Sequence, residues 1–162
     1  MKAAALPNSY NLLTYNDIRQ SPQTLTETLP VGIKKQRILV VDDSQVNQFV
    51  FKKILTEAAY GFELASSGHE ALNQLKHSHF DLVLMDIVMP VMNGIEATKK
   101  IKVLYPEIPV VAVTTIADKI CPTTLENIGF DAVLRKPLDK ALFLRTINQA
   151  LNFSPRHSDK IF

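Results

Sequence analysis

From Arg37 onward the apolar residues of this chain alternate between two textures. Leu82-Val83-Leu84-Met85 is apolar at every position and ends in a carboxylate, Asp86. Such a run reads as a strand buried on both faces, the pattern of a parallel sheet. Ile38 to Val41 has the same character and stops at Asp42-Asp43. Phe62 to Ala65, Ile108 to Val113 and Ala132 to Arg135 predict three more strands; Thr114-Thr115 ends the fourth and Lys136-Pro137 cuts off the fifth. Between the strands the period changes. Ser44 is a good N-cap, and Val46, Phe49, Val50 and Ile54 recur at helical spacing, predicting a helix to about Ala59 that Tyr60-Gly61 ends. Ser67 and Glu70 stand at capping-box spacing before Ala71, Leu72 and Leu75. A third helix is predicted from about Gly94 through Ile95, Ala97, Ile101 and Leu104, closed by Pro106. Pro122 fits only a first helical turn, which predicts a loop to Cys121 and a short helix to Ile128. Asp139 caps a last helix in which Leu144, Ile147 and Leu151 share a face.

Strict alternation of strand and helix with short connections predicts parallel strands joined by right-handed crossovers. The fold class that follows is α/β, a doubly wound five-stranded parallel sheet with five helices. Residues 1–36 carry Pro7, Pro22 and Pro30, many small polar residues and no sustained periodicity. They read as an N-terminal extension or linker, with a short helical turn around Tyr15 to Arg19. One domain over 37–151 and a tail over 152–162 complete the expected organisation.

Composition narrows the function. A length of 162 residues fits one domain with some excess, and 46% hydrophobic content supports a real core. The net charge of +2 is too mild to argue for nucleic acid. The runs Lys34-Lys35-Gln36-Arg37 and Lys99-Lys100-Ile101-Lys102 read as a solvated linker and helix face. No apolar segment approaches the roughly 18–20 residues that span a bilayer. Ala3-Ala4-Ala5-Leu6 before Pro7 is too short for a signal-peptide core. The expectation is a soluble, cytoplasmic protein with no membrane partner. Cys121 is the only cysteine, which excludes an internal disulfide and a Cys-based metal cluster; the thiol is read as inert. His69, His77 and His79 lack an acidic or Cys partner at ligand spacing and read as surface. Met85, Met89 and Met92 read as packing.

The chemistry lies at the strand ends. In a parallel sheet all carboxyl ends share one edge, so Asp42, Asp43, Asp86, Thr114 and Lys136 are expected to converge. Pro90 and Asn93-Gly94 enforce a tight loop after Asp86 and keep it near solvent. Three crowded carboxylates raise one another's pKa values unless a cation is present. Mg²⁺ suits the place, because it takes oxygen ligands and keeps several waters. With a lysine and a hydroxyl added, the set suits an incoming phosphoryl group, its charge neutralised while a carboxylate attacks phosphorus.

The segment from 37 to about 151 resembles the receiver domains of two-component response regulators. The motifs that carry the resemblance are Val41-Asp42-Asp43, Met85-Asp86, Met89-Pro90, Asn93-Gly94, Ala112-Val113-Thr114 and Lys136-Pro137. Each is weak alone; together, in order and at this spacing, they are specific. The resemblance implies a flavodoxin-like sheet of strand order 2-1-3-4-5 and makes Asp86 the phosphoacceptor. It implies Mg²⁺ held by Asp43, Asp86 and the Val88 backbone carbonyl, with Asp42 acting through water, and phosphoryl oxygens bound by Thr114 and Lys136. It implies a sensor histidine kinase or a histidine phosphotransfer protein as phosphodonor, and is compatible with a homodimer. The Val46-Asn47 and Asn93-Gly94-Ile95-Glu96-Ala97 neighbourhoods look most like receivers of hybrid sensor kinases. Such a domain is a phosphoacceptor rather than an enzyme.

Four positions, in three places, depart from the family's pattern. Val133 stands where the family has its switch aromatic, and Thr115 replaces a customary small residue. Val88 and Ile116, two residues after Asp86 and Thr114, are apolar. Polar groups there can orient a hydrolytic water, so the expectation is a long-lived phospho-state. No output module fits in the residues after Leu151, which predicts output by protein contact, by relay onward, or through a module missing from this chain. The alternatives are a pseudo-receiver scaffold or dimerisation module, disfavoured by the complete Asp, Thr and Lys set, and an aspartyl-phosphate phosphatase, disfavoured by Val88 where a second Asp is needed. A dinucleotide-binding enzyme is disfavoured by the glycine-free turn Asp42-Asp43-Ser44-Gln45.

Overall fold

The structure, a computed structural model, describes residues 35–116 and 120–152. The helical turn expected at Tyr15 to Arg19 and the tail after Asn152 lie outside them. Five strands and five helices alternate: β1 (Arg37–Val41), α1 (Gln45–Glu57), β2 (Gly61–Ala65), α2 (Gly68–His77), β3 (Leu82–Met85), α3 (Gly94–Leu104), β4 (Val110–Thr114), α4 (Pro122–Ile128), β5 (Ala132–Arg135) and α5 (Lys140–Asn152). All pairings are parallel and the sheet order is β2-β1-β3-β4-β5. The expected doubly wound architecture and strand order are both present.

Strand pleating splits the core in two. Leu39, Val41, Val83, Met85, Val110 and Ala112 face a layer built from Ala71, Leu75, Ala97, Ile101 and Leu125. Ile38, Val40, Leu82, Leu84, Val111 and Val113 face Phe51, Leu55, Phe143, Ile147 and Ala150. Alternation of side chains along each strand supplies both faces at once, which is why β1, β3 and β4 need apolar residues throughout. Phe51 of α1 and Phe143 of α5 stack with ring centroids 5.8 Å apart, joining the helices that cover one face.

Local rules fix the helix ends. The Ser44, Ser67 and Asn93 side chains each accept from a backbone N–H in the first turn of their helix. Asp139 does the same for α5, accepting from Leu142 N at 2.7 Å. Gly129 closes α4 with φ of 109°, a left-handed conformation suited to glycine.

The expected elements stand with two adjustments. β4 begins at Val110 rather than Ile108, since Pro109 has no N–H to give a ladder and contributes only its carbonyl, to Val83 N at 2.9 Å. The larger correction concerns α1. Its buried residues are Phe51, Ile54 and Leu55, whereas Val46 and Phe49 are 73% and 69% exposed and Val50 is also exposed. The helix is apolar on two faces, and the stripe that announces it is mostly the outer one. In α5, Ile147 is buried as expected with Leu144 and Leu151 at its margins; Phe143 and Ala150 complete the face.

Candidate functional site

Register alone brings the polar strand ends together. Val41 pairs with Met85, so Asp42 and Asp86 leave neighbouring strands at one level. Met85 pairs with Ala112, and Thr114 pairs with Arg135, which sets Lys136 one residue beyond Thr114. The backbone locks these exits: Asp86 N donates to Val41 O at 2.9 Å, and Lys136 N donates to Thr114 O at 3.0 Å.

The Lys136 ammonium lies between two carboxylates, 2.7 Å from Asp42 Oδ2 and 2.6 Å from Asp86 Oδ2. Asp42 is fully buried and accepts on its other oxygen from Ser44 N at 2.9 Å and Asn47 Nδ2 at 3.1 Å. Asp86 is only 7% exposed, and its Oδ1 accepts from Val88 N at 3.1 Å. Asp43 is exposed at the rim. One carboxylate oxygen from each of Asp42, Asp43 and Asp86 lies within 4.8 Å of the others, a group able to hold a metal ion. Hard oxygen donors at this spacing fit a small divalent cation. Among the described residues no histidine or cysteine joins such a group.

Burial pushes the Asp86 pKa up, and the hydrogen bond and charge of Lys136 only partly oppose it. For Lys136, burial acts to lower the pKa, but the hydrogen bonds and charges of Asp42 and Asp86 outweigh it, and the net direction is upward. The lysine stays cationic and the carboxylate it faces is less comfortably ionised than a surface aspartate.

Thr114 is buried, and its Oγ1 accepts from Ile116 N at 3.2 Å. Its hydroxyl is thus held at the carboxyl end of β4, on the sheet edge where Asp42 and Asp86 leave their strands. The structure brings all the expected groups to one edge: Asp42, Asp43, Asp86, Thr114 and Lys136, with Val88 exposed in the loop after Asp86.

Three residues support the site through contacts that the sequence does not show, although Asn47 and Gly94 already stand in its motifs. Asn47 holds Asp42 from the first turn of α1. Gln48 Nε2 donates to Asp42 O at 2.7 Å and lies 3.3 Å from Ser66 Oγ, tying the loops after β1 and β2 together. The available signal was two amides inside an otherwise apolar stretch. Gly94 is the third. A Cβ there would come within 2.0 Å of Asp86 O, so only glycine lets α3 start against the backbone of the acid.

The remaining candidates are peripheral. His69, His77 and His79 are exposed, with His77 Nδ1 2.8 Å from Asn73 O. Met85, Met89 and Met92 are buried. The exposed Cys121 thiol is held below its ordinary pKa, chiefly by the Thr123 hydroxyl 3.1 Å away. None of the described helices is long and apolar enough to cross a membrane.

Fold and site define a class, and the chain belongs to it: residues 38–148 match the response regulator receiver domain family of two-component signalling. That family is a phosphoacceptor signalling domain. Among individual relatives, the polar-differentiation response regulator DivK of Brucella ovis is 34% identical over 116 residues, covering 70% of this chain and 94% of DivK. Two-component response regulator 24 of Arabidopsis thaliana is 34% identical over 131 residues, 80% of this chain and 94% of that protein. The chain spans only 26% of the transcriptional regulatory protein ZraR of Salmonella typhimurium, at 38% identity over 114 residues. Of solved structures, a CheY-like receiver of Methanospirillum hungatei superposes with a TM-score of 0.72 at 30% identity, covering 77% of this chain and 100% of the other. The receiver of sensor histidine kinase PA1611 of Pseudomonas aeruginosa, with a magnesium ion coordinated in its active site cleft, gives 0.68 at 28% identity, covering 74% of this chain and 99% of the other.

Proposed function

We propose that Asp86 accepts a phosphoryl group from a phosphohistidine on a sensor histidine kinase or histidine phosphotransfer protein. The observation that carries this reading is Lys136 bridging Asp42 and Asp86 at the mouth of the sheet. An Asp86 carboxylate oxygen forms the new bond to phosphorus as the phosphorus–nitrogen bond of the donor breaks. The bonding pair leaves with the imidazole. Lys136 pairs with the incoming phosphoryl oxygens and Thr114 donates its hydroxyl to them. Mg²⁺, held by Asp43, Asp86 and the Val88 carbonyl with Asp42 reached through water, would neutralise charge on the transferring group. Asn47 and the Ser44 amide keep Asp42 in place throughout.

A donor surface lies beside the site. Val46, Phe49 and Val50 project from α1, and a cleft of about 270 Å³ lined by Val50, Phe51, Lys136, Pro137 and Leu138 opens next to it. An apolar patch bordering a charged reaction centre suits a protein phosphodonor. Val133, 38% exposed on β5, offers no ring to turn inward, so the phosphorylated state would act through the loops after β3 and β4. We place the working unit at 37–151, with 1–36 as extension or linker and 152–162 as tail. Output is by protein contact in the cytoplasm, without nucleic acid or membrane.

The test is phosphotransfer from a radiolabelled phosphohistidine protein. Label should move to the full chain with Mg²⁺, and should not move with EDTA or to Asp86→Asn. Label on Asp86→Asn at the parent rate would overturn the assignment.

A further inference from the structure

Away from Asp86, α2 and α3 enclose a second concavity that the phosphoryl chemistry does not use. It measures about 430 Å³ and is lined by Leu72, Lys76, Lys99, Lys100, Val103 and Leu104. Val103 is 81% and Leu104 57% exposed, on the last turn of α3. Lysines near helix C-termini are favourable by themselves. That accounts for Lys76 in the last turn of α2, but not for Lys99 and Lys100 in the middle of α3, nor for two bare aliphatic side chains among them.

Charge around the groove is unbalanced. Arg37, Lys102 and Lys140 each pair with an acid elsewhere on the surface, and Lys100 pairs with Glu96 at 2.9 Å. Lys76 and Lys99 have no acidic partner among the described residues. The result is an apolar floor flanked by Lys76 and Lys99, two cations with no acidic partner among the described residues. A nucleic acid would find few polar groups on that floor, and a bilayer would meet a hollow rather than a protruding apolar edge.

We propose that the α2–α3 groove receives an amphipathic helix of a partner protein, its leucine-type anchors on Leu72, Val103 and Leu104 and its carboxylates on Lys76 and Lys99. Helix-in-groove recognition reads such anchors at helical spacing. At about 1.5 Å per residue, Val103 lies roughly 14 Å along α3 from Gly94. An occupant there leaves Asp86 open, and the proposal does not depend on the phosphoacceptor reading.

The probe is a synthetic helical peptide with Leu at i, i+3 and i+7 flanked by Glu, titrated into the ¹⁵N-labelled full chain. Amide shifts should be confined to α2 and the C-terminal half of α3. Lys76→Glu with Lys99→Glu should weaken binding about tenfold or more, as should replacing the peptide's Glu by Gln. Val103→Ser should weaken it while leaving phosphorylation by acetyl phosphate unchanged. Circular dichroism verifies that the surface variants remain folded. No shifts at about 1 mM peptide would overturn the proposal. So would shifts centred elsewhere, or equally tight binding of an RNA duplex or phosphatidylglycerol vesicles to the same residues.

Discussion

The Lys136 ammonium sits 2.6 Å from the Asp86 carboxylate, a contact between residues 50 positions apart in the chain. Parallel register makes that contact, and on the proposed reading it places a cation against the nearly buried acid that would act as nucleophile. Burial raises the Asp86 pKa despite the lysine, so the fold disfavours its ionised form. In Mg²⁺-free buffer Asp86 therefore contributes stability in acid that is lost as pH rises through its raised folded-state pKa. Asp86→Asn does not titrate. Its stability relative to the parent should grow from about pH 4 upward and level off above that pKa. Urea unfolding in EDTA at stepped pH measures the difference; an advantage that shrinks with rising pH would contradict this. Lys136, also shifted upward, loses its contribution only in strong alkali and stays constant across this window.

The outward stripe of α1 bears on donor choice. Phe49 is 69% exposed and has no packing role in the core. Phe49→Asp should reduce phosphotransfer from a protein donor by about tenfold or more, through lost interface contact. Acetyl phosphate, which needs no docking surface, should react with this variant at the parent rate. Equal losses with both donors would point to a damaged site instead.

Val88 and Ile116 bear on lifetime. Val88 is 53% exposed at the rim, where an apolar side chain cannot orient an attacking water. The phospho-state of the parent should persist for many minutes to hours in Mg²⁺ buffer, and Val88→Asn should shorten it about tenfold. Acid-quenched phosphoprotein decay reads both. A parent half-life of seconds would refute the shielding account.

Val91 holds a φ of 66° in the loop after Asp86 while being 95% exposed. Left-handed backbone is unfavourable for a β-branched residue and far easier for asparagine. With no packing to lose, Val91→Asn should stabilise the fold by about 1 kcal/mol, visible as a Tm rise of about 3–5 °C. An unchanged or lower Tm would show that the turn carries no such strain.

Sheet and site were legible in the sequence for one reason. Strands buried on both faces must be apolar throughout, so Ile38–Val41 and Leu82–Met85 identified themselves and their exits located Asp42 and Asp86. What the sequence hid depended on three-dimensional docking. Helix α1 carries apolar residues on two sides, and only packing against Phe143 shows that Phe51 and Leu55 are the inner ones. Asn47 and Gln48 look like any polar helix residues until the Asp42 carboxylate and carbonyl appear above them. The demand on Gly94 arises from Asp86 O, in a loop whose path periodicity does not specify.

The most direct measurement is the intact mass of the full chain after incubation with acetyl phosphate and Mg²⁺, followed by borohydride reduction and peptide mapping. One phosphoryl group should add, the reduced residue should map to Asp86, and Asp86→Asn should gain nothing. A phosphoryl group mapped to Asp42, Asp43 or any other residue, or an unmodified parent chain, would contradict the account.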